Sequence, residues 1–404
     1  MTESDIKFIK RWADYRQSKG LTEFAGPELP SLNETMVEHQ TLKVEMIELT
    51  SAARKLQGNP NKLATFREGA KQLKHYLEGA IKFPFQQFHF TLAELRSGRS
   101  CSDDPEDHQT PIQSGFTAHY VLYVGYSDTG SCSGSAAAHA RPCRPFELVY
   151  NRDTPGAQEG DFYVRPVGGV ITICAHGLKS KKQHLPMFVH EALHALGFHG
   201  THLTLAPSLF KGVVQEWKVN SSTTLYKPGI VLTGKKIKEV VRRHFGCNDV
   251  PGASVEAYDG VKHFNNLKNR GEAGKSLALL YEAVLTVKLF YNSRQEAINN
   301  WFRPPLLDPQ TFQSLLASYS IGHWDKLYFD HDIMNPTKTF DMAFSDLTIT
   351  FLEEVMLYKI DRTFLKSQAA KISTPDQNWY GRGWGCDFAL HSCHKWMETR
   401  RFPG

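Results

Sequence analysis

The chain has 404 residues, 41% hydrophobic and 22% charged, with a formal net charge of +5 at pH 7. That balance excludes a low-complexity or disordered chain and leaves room for a sizeable core, in two or three domains or in one large enzyme with insertions. Lysines and arginines are scattered, so no nucleic-acid surface is expected, and no apolar run of about 18 residues offers a transmembrane helix.

The opening MTESDIKFIKRWADYRQ carries charges throughout and does not read as a signal peptide, and the C-terminus shows no lipid-anchor signal. None of the seven cysteines sits in a CxxC pair, so a thiolate zinc site is not expected. Their spread suits disulfides, with at least one left unpaired within the chain. Asn33 and Asn220 head glycosylation sequons.

In chain order, residues 1–58 read as charged and irregular, with short helical patches. Residues 61–82 read as an amphipathic helix, with Leu63, Phe66, Ala70, Leu73, Leu77 and Ile81 on one face. FTAHYVLYVGY (116–126) and GGVITICA (168–175) are strand-like. Between them, DTGSCSGSAAAHARPC reads as a loop plus a short edge strand near a cleft, with Cys132 and Cys143 as a candidate disulfide. Ser135, Ala136 and Ala137 are the candidates for an edge that pairs with an extended peptide; a solvated small-residue loop is the competing reading.

Residues 184–200 read as a helix with Pro186 in its first turn and Gly197 as its stop. Further helices are expected at 235–245 (closed by Gly246), at 277–302 (ended by Pro304-Pro305) and at 345–365. The order of elements suggests an α+β enzyme with a cleft: an N-terminal segment 1–90, a subdomain 91–200 and a mostly helical subdomain 201–404.

The chemistry concentrates in His190-Glu191-Ala192-Leu193-His194. Helix positions i and i+4 share a face, so both imidazoles can reach one metal, with Glu191 beside them to take a proton from water. A surface helix with two solvated histidines is the bland alternative. The apolar stripe of Leu185, Val189, Leu193 and Leu196 argues against it, because it buries one side of the helix. In the extended pattern HExxHxxGxxH a third histidine follows the glycine. Here Gly197 is in place, but Gly200 occupies the third-ligand position and His199 falls one residue early. The missing ligand must come from downstream, and the best candidate is His323 in GHWDKLYFDHDIMNP (322–336). Met334 follows it in a Pro-flanked turn; His331 and His244 are rival ligands.

These blocks together resemble the leishmanolysins, zinc endopeptidases of the metzincin clan. HEALHALGF, RRHFGCNDVPGASVEAYDG (242–260), GHWDKLYFDHDIMNP and GRGWGCDF (381–388) carry the likeness, with CSGSAAAHARPC and VGGVITIC before them, over roughly residues 95–395. The resemblance implies one catalytic Zn2+ on His190, His194 and His323, Glu191 as catalytic base and Met334 as the Met-turn residue. It implies an α+β, metzincin-type module: a mixed β-sheet and zinc-site helix, then a mostly helical C-terminal subdomain. Its substrates would be proteins or peptides, and its place extracellular or membrane-associated. The chain departs from the family in showing no visible secretion signal, propeptide or anchor, which keeps a cytoplasmic alternative open, and in a probable helical insertion at 261–320. The competing functions are a non-catalytic adhesion protein retaining the fold and a zinc hydrolase of small substrates.

Overall fold

The computed structural model describes residues 36–85, 87–132, 136–143, 147–150, 163–179, 184–199, 210–218, 224–256, 322–336, 342–356, 358–378 and 380–390. Its strands, in chain order, are β1 (Met36–Thr41), β2 (Val44–Glu48), β3 (Ile81–Phe85), β4 (Phe88–Phe90), β5 (Phe116–Ala118), β6 (Tyr120–Ser127), β7 (Ala138–Pro142), β8 (Glu147–Tyr150), β9 (Tyr163–Pro166), β10 (Gly168–Cys174), β11 (Phe210–Lys218), β12 (Thr224–Leu232), β13 (Ala253–Val255) and β14 (Lys359–Ile360). Its helices are α1 (Thr50–Leu56), α2 (Pro60–Ala80), α3 (Leu92–Gly98), α4 (His184–Ala195), α5 (Lys235–Phe245), α6 (Lys326–Phe329), α7 (Asp346–Glu354), α8 (Arg362–Ser367) and α9 (Gly385–Ala389).

A mixed four-stranded sheet, ordered β2-β6-β10-β7, organises this α+β fold. β2 and β10 run parallel to β6, and β7 lies antiparallel to β10 at the edge. β6 and β10 are buried along their whole length, as central parallel strands with both faces covered must be, which explains their unbroken apolar character. On β7 the ladder has a definite polarity. Cys143 N–H donates to the Gly168 carbonyl (2.9 Å) and Cys174 N–H to the Ala137 carbonyl (3.0 Å). Odd-numbered residues therefore pair with β10, and the N–H and C=O groups of Ala138 and Ala140 point to the open edge, where no described strand follows.

Two helices fix the depth of the site. α2 begins on Asn59, whose side chain accepts from Lys62 N–H, with Pro60 in the first turn. It buries Phe66, Leu73, Tyr76 and Leu77, and crosses α4 where Gly69 leaves room; a Cβ there would lie 2.7 Å from the Phe188 ring. α4 rests equally close on the sheet, since a Cβ at Gly169 would lie 2.7 Å from that of Ala195. Tyr120 Oη donates to the Ala195 carbonyl (2.7 Å), holding the end of α4 against β6.

Several expectations need correction. The segment before residue 58 supplies β1, β2 and α1, and β2 belongs to the main sheet. The half read as mostly helical also carries a three-stranded antiparallel sheet, β11-β12-β13; Pro228-Gly229 interrupts its strand pattern in the sequence. The expected helix 345–365 is broken into α7, β14 and α8. Asp361 restarts the helix by accepting from Phe364 N–H, and β14 pairs with β3. Cys132 bonds to Cys174 and Cys143 to Cys101, because Cys132 and Cys143 lie before and after β7 rather than side by side; a third bond joins Cys247 and Cys386. The expected helix 277–302 and insertion 261–320 lie outside the described residues, as do Ser135, Asn33, Asn220 and Cys393. No described helix is long and apolar enough to cross a membrane.

Candidate metal centre

α4 ends in a glycine-dependent turn. Gly197 has φ +119°, in the region that favours glycine, and its missing side chain leaves space for Met356. Its N–H bonds the His194 carbonyl (3.1 Å), and Phe198 N–H bonds that of Leu193 (2.9 Å), the two hydrogen bonds of a Schellman closure. The turn delivers the Phe198 carbonyl back to the helix, where it accepts from Nδ1 of His194 at 2.8 Å.

The third histidine arrives from the far end of the described fold. Trp324 forms an isolated bridge to Val255 of β13, with Glu256 N–H on the His323 carbonyl (2.9 Å) and Asp325 N–H on that of Ser254 (3.0 Å). Trp324 is fully buried against Phe198 (ring centroids 4.8 Å apart) and Phe351 (6.0 Å), contacts of about 0.5–1.5 kcal/mol each beyond burial. This aromatic group locks the loop of His323 to the turn after α4. Met334 is also fully buried, and its carbonyl accepts from Trp324 N–H at 3.0 Å, closing the 322–336 loop on itself.

The three Nε2 atoms of His190, His194 and His323 converge at 3.1, 3.2 and 3.3 Å from one another. Each Nδ1 meets an acceptor: the Ile333 carbonyl at 2.5 Å for His190, the Phe198 carbonyl for His194, and Glu256 Oε2 at 3.0 Å for His323. These partners accept and cannot donate, so they fix the Nδ1–H tautomer and leave three Nε2 lone pairs aimed at one another. Lone pairs at that spacing repel unless a cation lies among them. Tetrahedral zinc with Zn–N of about 2.0–2.1 Å requires N–N separations of about 3.3 Å, so the donor set fits the ion. His194 is held well below the ordinary histidine pKa, first by burial and then by His190 and His323, and so stays neutral and able to ligate.

Glu191, adjacent to His190 on α4, is buried. The rivals lie elsewhere: His244 Nε2 is 2.8 Å from the Tyr380 carbonyl, and the His331 ring packs on Tyr380 at 5.6 Å. Neither they nor His199 join the cluster. Ala136 and Ala137 directly precede the edge strand, which is Ala138–Pro142. Sequence reasoning missed Glu256. The available signal was an acidic residue ending an apolar run in the 242–260 block.

No family model matches the chain. Among curated proteins, it is 23% identical over 320 residues to the leishmanolysin-like peptidase of Caenorhabditis elegans, covering 70% of this chain and 36% of that protein. To the leishmanolysin-like peptidase of Drosophila melanogaster it is 22% identical over 362 residues, covering 81% and 41% respectively. The chain is a distant homologue of the leishmanolysin-like peptidases. It spans about two fifths of the length of these relatives. Leishmanolysin-like peptidases thus share most of this chain's length at low identity, and the converged histidines lie within the HEALHALGF and GHWDKLYFDHDIMNP blocks that carry the resemblance.

Proposed function

We propose that the protein is a zinc metalloendopeptidase with a metzincin-type catalytic module. The carrying observation is the convergence of three tautomer-fixed Nε2 atoms contributed by two segments more than a hundred residues apart. His190, His194 and His323 hold the ion, and Nδ1 contacts to Ile333, Phe198 and Glu256 keep their rings aimed. Zinc, when bound, supplies a Lewis acid that polarises a peptide carbonyl and makes water acidic enough to attack near neutral pH. The Glu191 carboxylate takes the proton from the attacking water and returns it to the leaving amine nitrogen. Ala138 and Ala140 offer outward N–H and C=O groups with which an extended substrate backbone pairs, adding a strand to β7 and orienting the scissile bond. Met334 forms the floor of the site. The name of the relatives supports the peptidase class, and proteins or peptides are the substrates we assign.

The test uses purified protein, metal analysis and a casein digest. About one zinc per chain is expected, with casein cleavage abolished by a chelator and restored by zinc. Glu191→Gln should retain zinc while its turnover drops by at least about a hundredfold, the usual contribution of a positioned general base. Zinc-loaded wild type that leaves casein and a mixed peptide library intact would overturn the catalytic reading in favour of a binding protein.

A further inference from the structure

We propose that Asp332 is a positioning residue of the metal centre, whose buried carboxylate aims His190 and His323 together. The inference rests on the metal reading above.

Asp332 is almost fully buried, and every contact to its carboxylate comes from a donor. Met334 N–H donates to Oδ1 at 2.6 Å, Thr348 Oγ1 lies 2.8 and 2.9 Å from the two oxygens, and Ser345 Oγ donates to Oδ2. The direction of these bonds is fixed. Trp324 Nε1, which can only donate, gives its hydrogen to Thr348 Oγ1 at 2.9 Å, so the Thr348 hydrogen goes to Asp332. Ser345 Oγ accepts from Thr348 N–H at 3.2 Å as the cap of α7, so its own hydrogen goes to Asp332 as well. Only an acceptor fits between these groups.

Two short chains of bonds run from this carboxylate to the ligands. In one, Asp332 fixes the Met334 N–H, so the intervening Ile333 presents its carbonyl to Nδ1 of His190; Ile333 N–H is anchored on the Ala343 carbonyl at 2.8 Å. In the other, Asp332 holds Thr348, Thr348 holds the Trp324 indole, and Trp324 is the residue after His323. One side chain that touches neither imidazole thus sets the angle of both, through α7 as a rigid backing.

Asp332→Asn keeps the shape but places an amide donor among donors. Zinc affinity is to be measured by competition with a chromogenic chelator, and ligand geometry by the visible absorption of the Co2+-substituted protein. We expect the zinc dissociation constant to rise about 10- to 100-fold, as when an outer-shell partner is lost, with a weakened and shifted cobalt band. Leu56→Ala, a core truncation in α1, should lower the melting temperature while leaving both metal readouts unchanged. Should Asp332→Asn fail to fold, Thr348→Val cuts the link to Trp324 while retaining the acid, and the same metal readouts are expected to move. Wild-type zinc affinity and an unaltered cobalt spectrum in the folded Asp332→Asn variant, or in Thr348→Val where that variant does not fold, overturn the proposal and leave the metal reading standing. A wild-type protein that binds neither metal overturns both.

Discussion

At the scale of single residues, the centre depends on what stands behind each imidazole. Glu256 is the one side-chain acceptor among the three Nδ1 partners; the other two are main-chain carbonyls. Its carboxylate makes His323 a stronger donor and fixes its rotation, so Glu256→Ala should weaken zinc binding about tenfold or more, with Glu256→Gln intermediate because its carbonyl still accepts. Chelator competition reads this directly, and equal affinity in all three proteins would deny Glu256 the role. The same residues show what a sequence can disclose. His190 and His194 were legible because four-residue spacing on a helix is a local rule. The Ile333 and Phe198 carbonyls were not, because a backbone acceptor has no letter of its own. The rivalry of His323 with His244 and His331 turned on whether Trp324 docks against Phe198 and Phe351, a contact that no local pattern encodes.

At the scale of elements, β7 is the one whose chemistry depends on which groups are left unpaired. Proline at Ala140 removes an N–H that faces the open edge and takes nothing from the β10 ladder. Ala140→Pro should therefore fold, and should raise KM for a peptide substrate about tenfold, the worth of one strong backbone hydrogen bond, with kcat less affected. Arg141→Pro deletes an inward N–H instead and is expected to lower the melting temperature. An unchanged KM in Ala140→Pro would mean that substrate does not add to this strand. The neighbouring strands β6 and β10 were readable from their composition, since burial on both faces demands continuous apolar runs. β2 was not, because VEMIE is short and its two glutamates, Glu45 and Glu48, fall on opposite faces of the strand, and its place beside β6 is a long-range pairing. The break of the expected 345–365 helix was likewise hidden. Helical periodicity runs through the segment, but Tyr358 and Ile360 are buried where β14 joins β3, and that pairing outweighs local propensity.

At the scale of the whole molecule, the disulfides divide the labour of holding the two ligand-bearing segments. Cys101–Cys143 and Cys132–Cys174 each span 42 residues and bracket β7, flanking the strand beside the α4 helix that carries His190 and His194. Cys247–Cys386 spans 139 residues, joining the end of α5 to α9 and enclosing His323 and Met334 within its loop. In the chain-entropy view, closing a loop of that length restricts the unfolded chain by about 5 kcal/mol, against about 4 kcal/mol for each shorter one. The longest loop also contains the ligand with the greatest distance to travel. A Cys247→Ser/Cys386→Ser double variant should therefore lose about 2–5 kcal/mol in urea unfolding and bind zinc more weakly. The Cys101→Ser/Cys143→Ser variant should lose stability with a smaller effect on the metal, because His190 and His194 remain fixed on α4 by Phe188, Gly69 and Tyr120. If instead the two variants lose zinc affinity equally, the third histidine is held by its own local network, and the long disulfide serves stability alone.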